Sequence, residues 1–251
     1  GEALFVLNAK NSRTSEKGWL DLEGITLTYP SIGVVTAERG RIAVDANGQL
    51  WSGDPTAGTG GRLELENCVL VFDEGHRMAP ARIDAPRLEA NYDERTLTLL
   101  GRPTWTAQTL VVSGERIDLN LTAETVDAQG DTIAQWIDDT DRVAMELRGD
   151  RLFVRASDPL RLIADMRGNA RLELAPRDPL EEPLVLTAPN IELEGERANE
   201  QASFAPTAVR IDGGVGQLSS GDAQLSGRIF EFDFQGETRP ERITVREEAS
   251  L

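Results

Sequence analysis

The sequence predicts an all-β protein made of stacked strand pairs. Three observations carry this expectation. Apolar and polar side chains alternate with a period of two along most of the chain, turn-forming residues separate the alternating runs, and an Ala-to-Gly phrase recurs at a spacing of fifteen or sixteen residues.

The alternating runs follow one another from end to end. Leu63 and Leu65 stand between Arg62, Glu64 and Glu66, and Ile117, Leu119, Leu121 and Ala123 repeat the pattern. Val143, Met145 and Leu147 come next, then Leu172 and Leu174, Ile191 and Leu193, and Phe230, Phe232 and Phe234. Successive side chains of a strand point to opposite faces, so a period of two with one charged set marks a half-buried strand. Asn47 with Gly48, residues 73–75, Gln129 with Gly130, Gly149 with Asp150, Gly168 with Asn169, and Gly213 with Gly214 read as turns between the runs. A short helix over 131–137, with Asp131 as its N-cap and Ile133, Trp136 and Ile137 at helical spacing, competes there with a strand or loop. Residues 54–61 read as a loop, and three prolines interrupt the pattern over 176–183. No firm domain boundary is visible. The chain reads as one extended domain, 1–251, with a candidate division near 127–142 that separates 1–126 from 143–251.

The repeat is the most informative feature. Ala9 leads to Gly24, Ala37 to Gly53 and Ala85 to Gly101, each across a turn and an apolar strand. Weaker copies follow at Ala156 with Gly168 and at Ala188, which lacks the closing Gly. Small Ala lets two sheet layers approach at a narrow edge, and Gly permits a bend or bulge. One strand pair cannot bury its own apolar face, so the copies must stack.

Composition narrows the function. The net charge of −17, from 43 acidic and 26 basic residues, gives a surface that repels phosphate backbones and excludes nucleic acid as the expected partner. Hydrophobic residues make up 39%, enough for a core, while aromatics supply only 5%. No run approaches a membrane-spanning helix, and the single Cys68 allows no internal disulfide. The chain opens at Gly1 and Glu2 without an initiator Met, so a removed signal or membrane tether is compatible with it.

The residues 83–93 (IDAPRLEANYD) with 97–101 (LTLLG), and 20–27 (LDLEGITL), carry a family resemblance. They resemble the repeated phrase of the OstA-like family of lipopolysaccharide transport proteins (LptA, and the periplasmic β-jellyroll parts of LptC and LptD). The similarity covers residues 3–125 best. It implies a folded-over antiparallel β-jellyroll with an open apolar groove for acyl chains, periplasmic location, and edge-to-edge stacking with other β-jellyroll transport proteins. The ligand it implies is lipopolysaccharide or a related glycolipid. Ile83, Ala85, Tyr92, Leu97 and Leu99 carry the groove-lining role on the matched motif. Alternation alone adds Ile117, Leu119, Leu121, Met145, Leu147, Phe230, Phe232 and Phe234. The chain departs from the family in being longer than one module and unusually acidic.

Other chemistry is weaker. Cys68 and His76 suggest a nucleophilic pair only on paper, since Cys68 lies in an apolar strand and His76 follows a turn. Asp127, Asp131, Asp138, Asp139 and Asp141 read as a solvated acidic loop, although calcium takes such oxygens. There is no phosphate loop, dinucleotide fingerprint or nucleophile elbow. The expectation is therefore a non-enzymatic lipid-binding or transfer module that needs no metal or cofactor. The alternative is a structural or adhesive β-solenoid with a closed core, and an enzyme on a β-helix scaffold stands third.

Overall fold

The computed structural model describes residues 6–15, 18–30, 32–44, 62–73, 81–91, 96–138, 140–158, 160–176, 181–196, 205–234, 240 and 242–246. Within them the chain is all-β and antiparallel, with no helix. By contacts it divides into two units, the first formed by Gly1–Ala107 and Glu115–Thr125, the second by Gln108–Gly114 and Val126–Leu251.

In the first unit β1 (Val6–Thr14), β2 (Trp19–Tyr29), β3 (Gly33–Ala43), β4 (Arg62–Phe72) and β5 (Arg82–Asn91) pair in sequence order. Each strand changes direction midway, and all do so on one row. The pairings break between Ala9 and Asn11, Glu23 and Ile25, Ala37 and Arg39, Glu66 and Cys68, and Ala85 and Arg87. Lys10, Gly24, Glu38, Asn67 and Pro86 thus lie in line across five strands. The buried positions record the extra residue. They run through Leu22 and then Ile25, Leu27 and Tyr29 in β2, and through Leu63 and Leu65 and then Cys68, Leu70 and Phe72 in β4. A single insertion would turn one strand's apolar face outward. Inserted in every strand at the same level, it leaves the ladder in register and folds the whole sheet at a corner.

Residue choice at the corner follows from this geometry. Asn67 takes a left-handed φ of 51° and its amide donates to Glu38 at 2.9 Å on the outside of the bend. Pro86 has no N–H to lose where the ladder is interrupted. On the inside, beside the same row, Ala37, Cys68 and Ala85 face one another across three strands, all buried.

The long strand β5 then meets two short partners, one on each side of the corner. Its first half pairs with β7 (Thr104–Ala107), Ile83 opposite Trp105; its second half pairs with β6 (Thr96–Leu100), Leu88 opposite Leu99. Gly101, between β6 and β7, sits over Pro86 with φ +85°, and a Cβ there would lie 3.1 Å from the proline ring. β9 (Arg116–Asn120) completes the layer, Leu97 opposite Leu119.

The second unit uses the same device. β8 (Leu110–Ser113) pairs with β10 (Thr125–Ile137), and β11 (Val143–Asp158), β12 (Arg161–Leu174) and β13 (Leu184–Glu196) pair consecutively. Register shifts fall between Arg148 and Arg151 and between Arg167 and Ala170. β13 carries Pro189 at its corner and again meets two short partners. These are β14 (Ala205–Asp212), Ile191 opposite Ile211, and β15 (Gly216–Ser220), Leu186 opposite Leu218. A Cβ on the intervening Gly214 would lie 3.1 Å from the Pro189 ring. β16 (Ala223–Gly227) pairs with β15, while β17 (Ile229–Asp233) pairs with β14 and with β18 (Arg242–Arg246). Ala170 and Ala188 face each other inside this corner, both buried.

Several sequence expectations are corrected here. Gly130, Gly149 with Asp150, and Gly168 with Asn169 are not turns between strands; each lies within a long strand, because it bends the chain at the corner without reversing it. Residues 131–137 are strand, not helix: Thr132, Ala134 and Trp136 are buried, while Ile133 and Ile137 stand half-exposed on the other face. Ala9, Gly24, Ala37 and Ala85 sit mid-strand at or beside the corner, not at strand ends, because β1, β2, β3 and β5 each cross both layers; Gly101 follows the end of β6, where the repeat expects it. In the second unit the small residue at the corner is Ala170, and Ala156 pairs with Leu162 away from it. The turn at Asn47 and Gly48, Gly53 and the loop 54–61 lie outside the described residues.

The corner gives a direct test. Gly168 has φ +76°, and a Cβ there would stand 2.2 Å from Asp150 Oδ2. Gly168→Ala is expected to cost at least about 1–2 kcal/mol in urea unfolding, from the left-handed backbone alone. Asn169→Gly, at a neighbouring φ of 51°, is expected to leave the midpoint nearly unchanged.

Candidate functional site

The site that the sequence singles out is the inner face of the folded sheet. In the first unit it holds Ile83 and Ala85 on β5, Leu97 and Leu99 on β6, Ile117 and Leu119 on β9, and Leu121 just beyond; each is at most 9% exposed. Leu97 faces Leu119 and Leu99 faces Ile117, so these four form one contiguous patch. Ile83 and Ala85 lie on the other side of the corner in two further rows: Leu27, Val35, Leu70, Ile83 and Trp105 stand side by side in one, and Ile25, Ala37, Cys68 and Ala85 in the other. Tyr92 lies outside the described residues.

The remaining candidates belong to the second unit. Met145 and Leu147 are fully buried on β11, opposite Leu174 and Leu172. Phe232 lies beyond the corner, in line with Val154, Ala164, Leu193 and Val209. Phe230, Phe232 and Phe234 are all buried, and the last two rings stack with centroids 6.3 Å apart. The candidates therefore form separate patches in two units. Leu27, Val35, Leu70, Val154 and Leu193 share these rows and were missed; their own alternation is the signal that would have found them.

The interior is chemically uniform. Among the described residues Thr132 is the one buried side chain outside the apolar and aromatic set. Thr132 Oγ1 and Trp105 Nε1 are buried and find no hydrogen-bond partner among the described residues. Burial pushes the Tyr29 phenol well above its ordinary range.

The outer face is the opposite. Arg13, Asp21, Arg41 and Glu64 stand opposite one another in a row, with ion pairs of 3.3 Å between Arg13 and Asp21 and 2.8 Å between Arg41 and Glu64. The next row runs Glu23, Arg39, Glu66, Arg87, again alternating in sign. Arg41 also lies over the Trp19 ring, 4.6 Å from its centroid. These rows line a polar cleft of 720 Å³. Such half-exposed pairs each contribute about 0–1 kcal/mol, so they fix strand register more than they hold the fold.

The alternative chemistries find other uses for their residues. Asp127 is paired with Arg151 at 2.5 Å. Asp138 caps a turn, accepting from the Thr140 hydroxyl at 2.6 Å and from the backbone N–H groups of Thr140 and Arg142 at 2.8 and 3.0 Å. Asp139 and His76 lie outside the described residues. Among the described residues no group of three His, Cys, Asp or Glu is placed to hold a metal ion. No helix there is long and apolar enough to cross a membrane.

These features define a class: an antiparallel β protein with an apolar interior, folded along a corner. No protein-family model matches the chain, and no curated protein is similar to it in sequence. Among solved structures the chain is similar to LptH of Pseudomonas aeruginosa, the LptA-homologous periplasmic component of its lipopolysaccharide transport device. Identity is 11% and the TM-score 0.38, over 50% of this chain and 82% of that one.

Two measurements check the site's surroundings. Burial pushes the Cys68 thiol up to about 12, with Glu66 adding to the rise against a lowering backbone hydrogen bond at Leu88. The native protein is therefore expected to resist a bulky thiol reagent at pH 8. Cys68→Ala should fold normally, whereas Cys68→Leu, forced into the narrow corner, should lose about 1–3 kcal/mol in urea unfolding. Asp138 is held at about 2 by the Thr140 hydroxyl first and the Arg142 N–H second, against an ordinary value of 3.8. A lowered carboxyl stabilises the fold above its unfolded value, so the turn's contribution should be complete above about pH 4 and lost as pH falls through about 2. Carboxyl carbon NMR titration of Asp138 reads this directly, and Asp138→Asn should flatten the window.

Proposed function

We propose that this protein is a non-enzymatic lipid-binding and transfer module of a bacterial envelope, acting in the periplasm. Its inner faces take the acyl chains of lipopolysaccharide or a related glycolipid, and it works in line with other β-jellyroll transport proteins by edge-to-edge stacking. The observation that carries this reading is the interior of the first unit. There the residues that resemble the OstA-like phrase, Ile83, Ala85, Leu97 and Leu99, form an inner surface without a buried charge. Such a surface suits an acyl chain, whose transfer from water is favourable by about 0.8 kcal/mol per methylene. The one nucleophilic side chain placed beside it among the described residues, Cys68 opposite Ala85, is buried with its thiol pushed up by that burial, which keeps it protonated.

A second reading has its own support. Every described groove candidate is at most 9% exposed, as in a core packed shut, which favours a structural β-solenoid. Mass spectrometry of lipids that copurify with the native protein separates the two: acylated lipid at defined stoichiometry supports transfer, and its absence supports the solenoid. Leu119→Asp, with Glu115→Lys as surface control, is then read by displacement of an acyl probe and by thermal unfolding. On the transfer reading Leu119→Asp abolishes probe binding, while Leu119→Ala keeps it. On the solenoid reading the parent binds no acyl probe, and Leu119→Asp shows only a loss of stability of more than about 4 kcal/mol.

A further inference from the structure

Trp105 is the most unusual residue of the first unit's interior. It is 2% exposed, it stands opposite Ile83, and its row continues through Leu70, Val35 and Leu27, each fully buried. Indole offers one hydrogen-bond donor and no acceptor. That donor, Nε1, is shielded from solvent and meets no acceptor among the described residues. A buried N–H left unpaired is costly, and a phenyl ring would fill the same region without the penalty. An enclosed water is a poor remedy, because a water needs two to four polar partners and this row supplies apolar side chains alone.

We propose that Trp105 is a ligand-binding residue, its indole N–H donating to the carbonyl oxygen of an ester- or amide-linked acyl chain held on the inner face of the first unit. This rests on the lipid-binding reading and sharpens it: the ligand is recognised by a carbonyl beside its chain as well as by its methylenes. Ile83, Leu70 and Val35 contact the apolar part, and Trp105 sets how far the chain enters. A pure hydrocarbon leaves the donor unpaired, so the site discriminates between chains of equal size by one hydrogen bond.

The test uses the full chain and two probes of equal heavy-atom count, methyl laurate and pentadecane, each competing with a fluorescent acyl probe. Comparing Trp105→Phe with the parent for each ligand separately cancels the ligands' different solubilities. The variant should bind the ester about fivefold to tenfold more weakly, the effect of one net hydrogen bond, and the hydrocarbon as well as the parent does. In the ¹⁵N-tryptophan-labelled parent, the indole resonance missing from the variant should move downfield with the ester and stay in place with the hydrocarbon. Equal weakening for both ligands would make Trp105 a packing residue and overturn the proposal. So would unchanged ester binding, or an indole-to-water contact that persists when the ester is bound. If the hydrocarbon binds and the ester does not, the proposal fails while the lipid-binding reading stands. If neither probe binds the parent, that reading fails as well.

Discussion

The corner row is the constraint on which the rest depends. A strand of ten or eleven residues is too long to keep one face buried against a partner layer unless it bends, and neighbouring strands stay paired only if all bend together. Lys10, Gly24, Glu38, Asn67 and Pro86 satisfy this by placing one extra residue in every strand at one level. The outside of the bend is polar and exposed. The inside carries mostly small side chains, Ala37, Cys68 and Ala85 beside Ile25 in the first unit and Ala170 with Ala188 in the second. Pro86 with Gly101, and Pro189 with Gly214, repeat one solution at the point where a long strand hands over to two short ones. Proline removes a donor where the ladder is broken, and glycine leaves room for the ring.

The same constraint explains what could be read from the sequence and what could not. Strand identity was plain, because alternation survives within each half of a strand. The Ala-to-Gly spacing was also visible, and from Ala9 to Gly24 it joins two successive crossings of the corner. Its location was misread because glycine next to Asp or Asn signals a turn, as at Gly149 with Asp150, and a bend within a strand calls for the same residues. The helical spacing over 131–137 arose likewise. Once alternation is interrupted at Gly130 and Asp131, both of positive φ, the inner positions fall to Thr132, Ala134 and Trp136, and Ile133 and Ile137 take the other face. Composition gave no warning that the two isoleucines of this stretch would stand half-exposed.

The candidate groove was legible by face and not by grouping. All twelve described candidates point inward, since parity within a run decides the face. Which of them touch depends on register across strands and on the side of the corner, and neither is written in a single strand. Leu97 and Leu119 are 22 residues apart in the chain and directly opposite in the sheet, while Ala85 and Leu88 are near neighbours on different sides of the bend. Trp105 stands in a run of four strand residues, too short for alternation to mark its face, and its place beside Ile83 exists only in the paired sheet.

Burial of the inner face need not oppose ligand entry. Side chains such as Leu97, Leu99, Ile117 and Leu119 touch other apolar groups in the closed sheet, and they would touch methylenes in a loaded one. For the protein that exchange is close to neutral, because one dry apolar contact replaces another. The ligand, however, leaves water, and a chain of twelve carbons brings about 10 kcal/mol of transfer free energy. What must be supplied from that sum is the separation of the two layers. Backbone pairing within each layer survives such a movement if the layers part about the corner. There the ladder is already interrupted in every strand, so parting breaks few further hydrogen bonds. The row that lets the sheet fold is therefore also the row about which parting the layers would cost least.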